Sequence, residues 1–446
     1  MIQKLKQTLV SDHNLKELLT GSSITFVLKV FGMILSYLVV ILISTRYGAD
    51  GVGLYSVTFR TIRSVALISA LGFNISVLRY VGEFNTKPNK STYYKRIFKT
   101  YCSISLPFSV VIGILLFATS DYIALNIFEN ENYSNSIQII AIILPLFTLN
   151  LINIEFIRGL KSLKVSEYLR SANTYIIILF VLIIEVLDLD LLNAIYALAF
   201  GIVVTFAISF LFIFAHIQKL PQSILEISFS RNDFIKTSLP MLVTEIASFI
   251  LAFSGIFFLE IFSTTEEVGI YSVCIMLSQL VSLVLTVVNT ISAPKFSELF
   301  WANKRDDLNK LLKQSSKLIF WSSFAISLLL TISSKLVLNF FGQEFTIGRN
   351  ILIILILGQL INAITGSVGI FLNMTGHQKV LRNIIFVTAL FILMGYYYII
   401  PIYGLLGAAI ISVIGTLIIN VFSACYVYFK LNYITFYIPF ITLRNE

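Results

Sequence analysis

The sequence predicts an all-α integral membrane protein, with twelve transmembrane helices in two pseudo-symmetric six-helix bundles around a central cavity. Three observations predict it. Hydrophobic residues make up 57% of the 446-residue chain and charged residues 12%, with mean hydropathy +0.90, whereas an ordinary soluble domain is about 25% charged. The apolar residues gather in runs of about 20, the length that carries a helix across a ~30 Å hydrocarbon core; none alternates as the strands of a membrane barrel do. The chain also repeats itself at an offset of 216 residues. Val52-Gly53-Leu54-Tyr55-Ser56-Val57 returns as Val268-Gly269-Ile270-Tyr271-Ser272-Val273, and Ile75-Ser76, Arg79-Tyr80 and Phe84 return as Ile291-Ser292, Lys295-Phe296 and Phe300. A duplicated unit with an even number of spans gives two lobes entering the membrane in the same direction, related by an axis along its normal.

In chain order, residues 1–20 mix Lys4, Lys6, Lys16 and Glu17 with apolar positions and lack a small-residue cleavage site, so they predict a cytoplasmic amphipathic segment and not a cleaved leader. The first lobe, 21–217, holds spans at about 21–43, 54–78, 97–118, 136–157, 171–187 and 191–215. Residues 218–236, with Lys219, Pro221, Glu226, Arg231 and Asp233, read as a cytoplasmic linker. The second lobe, 237–430, holds spans at about 237–261, 268–293, 314–334, 350–372, 383–400 and 404–429, and 431–446 form a cytoplasmic tail. The Lys-rich stretch 295–317 predicts an amphipathic surface helix.

With the N-terminus inside, 26 of the 32 Lys and Arg residues fall on the inner side and only Arg46, Lys335 and Arg349 outside. That asymmetry places both termini in the cytoplasm. The net charge of +9 is this topological signal, and nucleic acid is excluded as a partner. Cys102, Cys274 and Cys425 are scattered in apolar spans, which implies neither a disulfide framework nor a metal site.

The remaining three cations lie within spans. Lys29 sits about nine residues into the first, near 13 Å of depth, where an unpartnered charge costs on the order of 3 kcal/mol. It shares one helix face with Ser22, Thr25, Gly32 and Ser36. Its repeat equivalent is Glu245, the deep carboxylate of the seventh span and the candidate for gating or ion coupling. The second span carries Ser56, Arg60, Arg63, Leu67, Ala70 and Asn74 on one face; its copy carries Ser272, Met276, Gln279, Leu283, Thr286 and Thr290. A cavity with Lys29, Arg60 and Arg63 against one carboxylate suits an anion, and Asn74, Gln279, Gln359 and Asn362 are candidate sugar-contacting groups. Each has a plainer reading. Arg60 can snorkel to the outer headgroups, Lys29 can pair with Glu245, and the Gln359, Asn362, Gly366, Gly369, Asn373 stripe can be helix-packing glue. Glu155, Glu185 and Glu260 lie near span ends, where solvation makes a charge inexpensive.

The stretch Tyr47-Gly48-Ala49-Asp50-Gly51-Val52-Gly53-Leu54-Tyr55-Ser56 resembles the bacterial polysaccharide (O-antigen type) flippases of the multidrug/oligosaccharidyl-lipid/polysaccharide exporter superfamily. Leu71-Gly72-Phe73, Arg79-Tyr80-Val81, Arg158-Gly159-Leu160-Lys161 and Asn373-Met374-Thr375-Gly376-His377-Gln378-Lys379 extend the likeness along the chain. The resemblance implies a multidrug and toxin extrusion-like fold and a non-enzymatic role. That role is moving an undecaprenyl-pyrophosphate-linked oligosaccharide from the inner to the outer leaflet of the bacterial cytoplasmic membrane by alternating access. Membrane lipids, a glycan polymerase and a chain-length regulator are the implied partners. No cofactor is expected, and coupling to a proton, to sodium or to membrane potential stays open. A multidrug/cation antiporter of the same superfamily and a membrane-bound glycan polymerase or transferase are the alternatives. The first is disfavoured by cations where acids are needed, the second by short outer loops without His.

Overall fold

The computed structural model describes residues 13–84, with side chains from 26 onward, 90–184, 192–220, 230–437 and 439. All regular structure among these residues is helical. Among the described residues nine helices are long and apolar enough to cross a membrane, ten when the bent pair Thr265–Ser278 and Leu283–Trp301 is taken as one span. Two of them are double. Phe26–Ser69 runs 44 residues and Gln378–Leu431 runs 54, about twice what a ~30 Å core accommodates at 1.5 Å per residue. Each breaks at a glycine, Gly48 (φ 66°, ψ −166°) and Gly404 (φ 49°, ψ −129°), in backbone conformations that residues with a Cβ avoid. Counting both legs of each gives the twelve passes that the hydropathy predicts.

The chain divides into two compact units, residues 1–246 and 247–446. The division falls inside helix Arg231–Phe262, so the first half of the seventh span packs with the first unit.

In the first unit, Phe73, Val77, Tyr94, Ile97, Tyr101, Ile152, Phe156 and Phe234 form a buried core. Lipid does not drive apolar helices together as water does, so close packing and hydrogen bonds supply the association. Tyr101 donates to Asn153 Oδ1 at 2.7 Å, Asn153 to Ser209 Oγ at 3.2 Å, and Ser209 to Asn150 Oδ1 at 3.0 Å. Asn173 donates to Thr205 Oγ1 at 2.8 Å. In the second unit Phe296, Leu308, Leu312, Val368, Phe371 and Val427 pack together, and Thr365 donates to Asn420 Oδ1 at 2.9 Å.

Several elements differ from the sequence expectation. The second span does not run unbroken from 54 to 78: helix ends at Ser69, Leu71 (φ 54°) and Gly72 (φ 74°) turn the chain, and helix resumes over Phe73–Phe84. A Cβ on Gly72 would stand 2.2 Å from the Ser238 carbonyl oxygen, so the turn serves a close helix approach. The eighth span breaks at 279–282 with a bend of 48°, and the tenth breaks at Gly366 (φ 65°), whose repeat partner Asn150 lies within the continuous helix Asn132–Gly159. No separate surface helix covers 295–317; helix Arg305–Ile332 is continuous, with Leu308 and Leu312 buried and Lys310 and Lys313 exposed. Residues 13–20 begin the first long helix, while 1–12, the linker core 221–229 and tail residues 440–446 lie outside the described residues.

Candidate functional site

The polar side chains of the first unit are placed by two neighbouring helical segments, the second leg of the broken first helix and Phe73–Phe84. Arg60 is half-buried and its Nη1 donates to the Ser56 carbonyl one turn back at 3.1 Å. Arg63, one turn on, is exposed. Below them Tyr55 is 5% exposed, and its hydroxyl has no hydrogen-bond partner among the described residues. Arg60 and Tyr175 are its electrostatic neighbours, and Tyr175 in turn faces both arginines. Two arginines and two phenols thus share one region, although neither tyrosine stood out among the apolar residues of its span.

Helix Phe73–Phe84 holds the first half of Arg231–Phe262 through contacts that advance in opposite directions along the two helices. Tyr80 meets Thr237 (3.3 Å between hydroxyls), the Ser76 and Ser238 hydroxyls are hydrogen-bonded, and Gly72 abuts Ser238 and Leu242. Phe73 and Phe234 stack with centroids 5.0 Å apart. This register delivers Glu245 to Asn74, whose Nδ2 donates to Glu245 Oε1 at 2.6 Å. Asn74, expected among the sugar-contacting groups, is 7% exposed and turned to the carboxylate. Arg63 and Glu155 are the charged groups within electrostatic reach of Glu245.

Glu155 itself is not left to solvent at a span end. Arg170 reaches its Oε1 at 2.5 Å and Arg158 its Oε2 at 3.5 Å. Glu155 and Arg158 are i, i+3 neighbours, a pairing legible in the sequence, but Arg170 arrives from helix Leu163–Ile184. Glu260 also departs from expectation, being 3% exposed and accepting from Thr265 Oγ1 at 2.8 Å; Glu185 lies outside the described residues.

Lys29 is exposed, and among the described residues no ion pair joins it to Glu245. Its stripe is divided: a Cβ on Gly32 would stand 2.2 Å from the Ser171 carbonyl oxygen, so that part of the face packs against the fifth span. Arg46, expected outside, donates to the Leu182 carbonyl at 2.5 Å and ties the end of the first leg to the same span.

In the second unit Gln279 is exposed at the turn after Thr265–Ser278, where its carbonyl accepts from Ser282 Oγ at 3.0 Å. Gln359 and Asn362 are half-buried on helix Arg349–Thr365, two turns and one turn before the Gly366 break. The structure therefore joins Asn74 to Glu245 with Arg63 nearby, and places Gln359 and Asn362 together on one helix.

A family model described as polysaccharide biosynthesis protein matches residues 18–300, and a search of curated proteins finds no match. Among solved structures, a MOP superfamily transporter from Pyrococcus furiosus aligns over 95% of this chain and 97% of its own, with TM-score 0.64 and 15% identity. An inward-facing multidrug resistance MATE family transporter aligns over 90% and 94%, with TM-score 0.72 and 15% identity. The lipid II flippase MurJ, in an inward closed conformation, aligns over 92% and 87%, with TM-score 0.69 and 14% identity. At these identities the likeness is one of fold, and the match of the family model carries the assignment. The chain belongs to the polysaccharide biosynthesis protein family, built on the fold of the multidrug/oligosaccharidyl-lipid/polysaccharide exporter superfamily.

Proposed function

We propose that this protein is a flippase that carries an oligosaccharide linked to undecaprenyl pyrophosphate, a surface-polysaccharide repeat unit of the O-antigen or capsule kind, from the inner to the outer leaflet of the bacterial cytoplasmic membrane. It works by alternating access, as a transporter and not as an enzyme, with both termini in the cytoplasm. Family membership supports a role in polysaccharide biosynthesis, and MurJ supplies the precedent of a lipid-linked cargo on this fold.

The observation that carries the proposal is the exposure of Lys29 and Arg63 on the two legs of a membrane-spanning helix, without an ion pair among the described residues. A cation on a lipid-facing surface at that depth costs on the order of 3 kcal/mol, so water or an anion is its proper neighbour. Lys29, Arg60 and Arg63 attract the pyrophosphate or acidic sugars, and Gln279, Gln359 and Asn362 offer hydrogen bonds to sugar hydroxyls. Asn74 serves through Glu245, which gates or couples an ion. An inside-negative potential favours outward movement of negative charge by about 2.3 kcal/mol per charge per 100 mV, which removes the need for a hydrolysed nucleotide. A glycan polymerase and a chain-length regulator are the proposed downstream partners.

Deleting the gene tests this reading: a lipid-linked oligosaccharide should accumulate on the inner leaflet while surface glycan falls. A second reading, a drug or cation antiporter, is favoured by the MATE transporter among the structural neighbours. If it holds, deletion changes resistance to cationic dyes and leaves lipid-linked sugars undisturbed.

A further inference from the structure

The pair formed by Asn74 and Glu245 contains more than one hydrogen bond's worth of polar groups. Asn74 is buried, and its side-chain N–H donates to Glu245 Oε1 at 2.6 Å. The other oxygen of each group, Asn74 Oδ1 and Glu245 Oε2, is out of solvent reach and has no hydrogen-bond donor among the described residues. Both are acceptors, and a buried acceptor without a donor is destabilising. Two such oxygens, one on each of two hydrogen-bonded planar groups, each lack a hydrogen.

We propose that the Asn74–Glu245 pair is a proton-binding site, in which a carboxylic acid and a primary amide close a two-bond ring: Asn74 Nδ2–H to Glu245 Oε1, and Glu245 Oε2–H to Asn74 Oδ1. The proton comes from water and returns to it; no other bond forms or breaks. The site stands on this geometry alone, while its use in transport rests on the role given above to Glu245, for which it names the ion.

The surroundings fit a site that both takes and releases a proton. Among the described residues Arg63, on the second leg of the first helix, and Glu155, on Asn132–Gly159, are the charged groups in electrostatic reach of Glu245. Arg63 stabilises the carboxylate once the proton has left. Glu155 opposes that state, and its own charge is held by Arg170 and Arg158. A sodium ion fits less well, because hard cations require several oxygens directed at them. Here the amide N–H points at the carboxylate, and Arg63 already supplies positive charge.

Infrared difference spectroscopy on the full-length protein in lipid membranes, wild type against Glu245→Gln, tests the site. At neutral pH the wild type should show the carbonyl stretch of a protonated carboxylic acid that Glu245→Gln lacks. The band should shift on deuterium exchange, move to higher frequency in Asn74→Leu and ignore sodium at fixed pH. Because glutamine preserves both ring bonds, Glu245→Gln should melt at the wild-type temperature and Glu245→Ala several degrees lower. An identical carbonyl region in wild type and Glu245→Gln, a band abolished by sodium, or loss of folding in Glu245→Gln would each overturn the proposal. None of these readouts depends on the cargo, so failure of the flippase reading and failure of the proton site are distinguishable.

Discussion

Arg63 and Glu155 carry opposite charges in neighbouring helices of one unit and are treated differently by the fold. Glu155 receives two guanidinium groups, the closer at 2.5 Å, and its charge is accounted for within the protein. Arg63 is exposed and in no ion pair among the described residues, with Glu245 and Tyr175 as electrostatic neighbours. A cation left without a close partner on an apolar helix is available to an external anion, and a charge-assisted contact contributes roughly 1.5–3 kcal/mol. Arg63→Gln or Lys29→Gln should therefore lower glycan export by about 10- to 100-fold with membrane abundance unchanged. Export assays normalised to protein level check this, and unaltered export in both variants would remove the anion-handling role.

At the scale of elements, the junction between Phe73–Phe84 and the first half of Arg231–Phe262 decides where Glu245 sits. Its narrowest point is Gly72, where φ is +74° and an added Cβ would lie 2.2 Å from a backbone oxygen. A Cβ in the left-handed region costs about 1–2 kcal/mol before any clash, and the partner here is backbone, which cannot rotate away. Gly72→Ala should destabilise the protein by more than about 2 kcal/mol and shift Glu245 away from Asn74. Gly82→Ala, ten residues along, meets nothing within 4 Å and is the control. Thermal melting in detergent checks the pair, and equal melting temperatures would show that the close approach is not needed.

At the scale of the whole molecule, the passes read from hydropathy divide the cations 26 to three between the two sides, so the chain should insert in a single orientation. Reporter fusions at residues 220 and 436 should be active only as cytoplasmic reporters, and a fusion in the 335–349 region only as an external one. A reporter at residue 220 active on the outer side would reverse the direction in which the proposed cargo moves.

Hydropathy, the 216-residue repeat and the Lys/Arg asymmetry determined by themselves that the chain spans a membrane twelve times as a duplicated unit. Transfer energies add residue by residue and need no knowledge of neighbours. The deep charges Lys29, Arg60, Arg63 and Glu245 were legible for the same reason, since each interrupts an apolar run. Tertiary structure alone decided what those charges meet. Glu245 finds Asn74 from 171 positions away in sequence, not its repeat partner Lys29, and Glu155 finds Arg170. It also decided where the copies diverge, with a break at Gly366 and an unbroken helix at Asn150. Partner choice depends on how each helix is rotated and in what register it packs, and the close approaches at Gly32 and Gly72 set both; hydropathy carries no record of either.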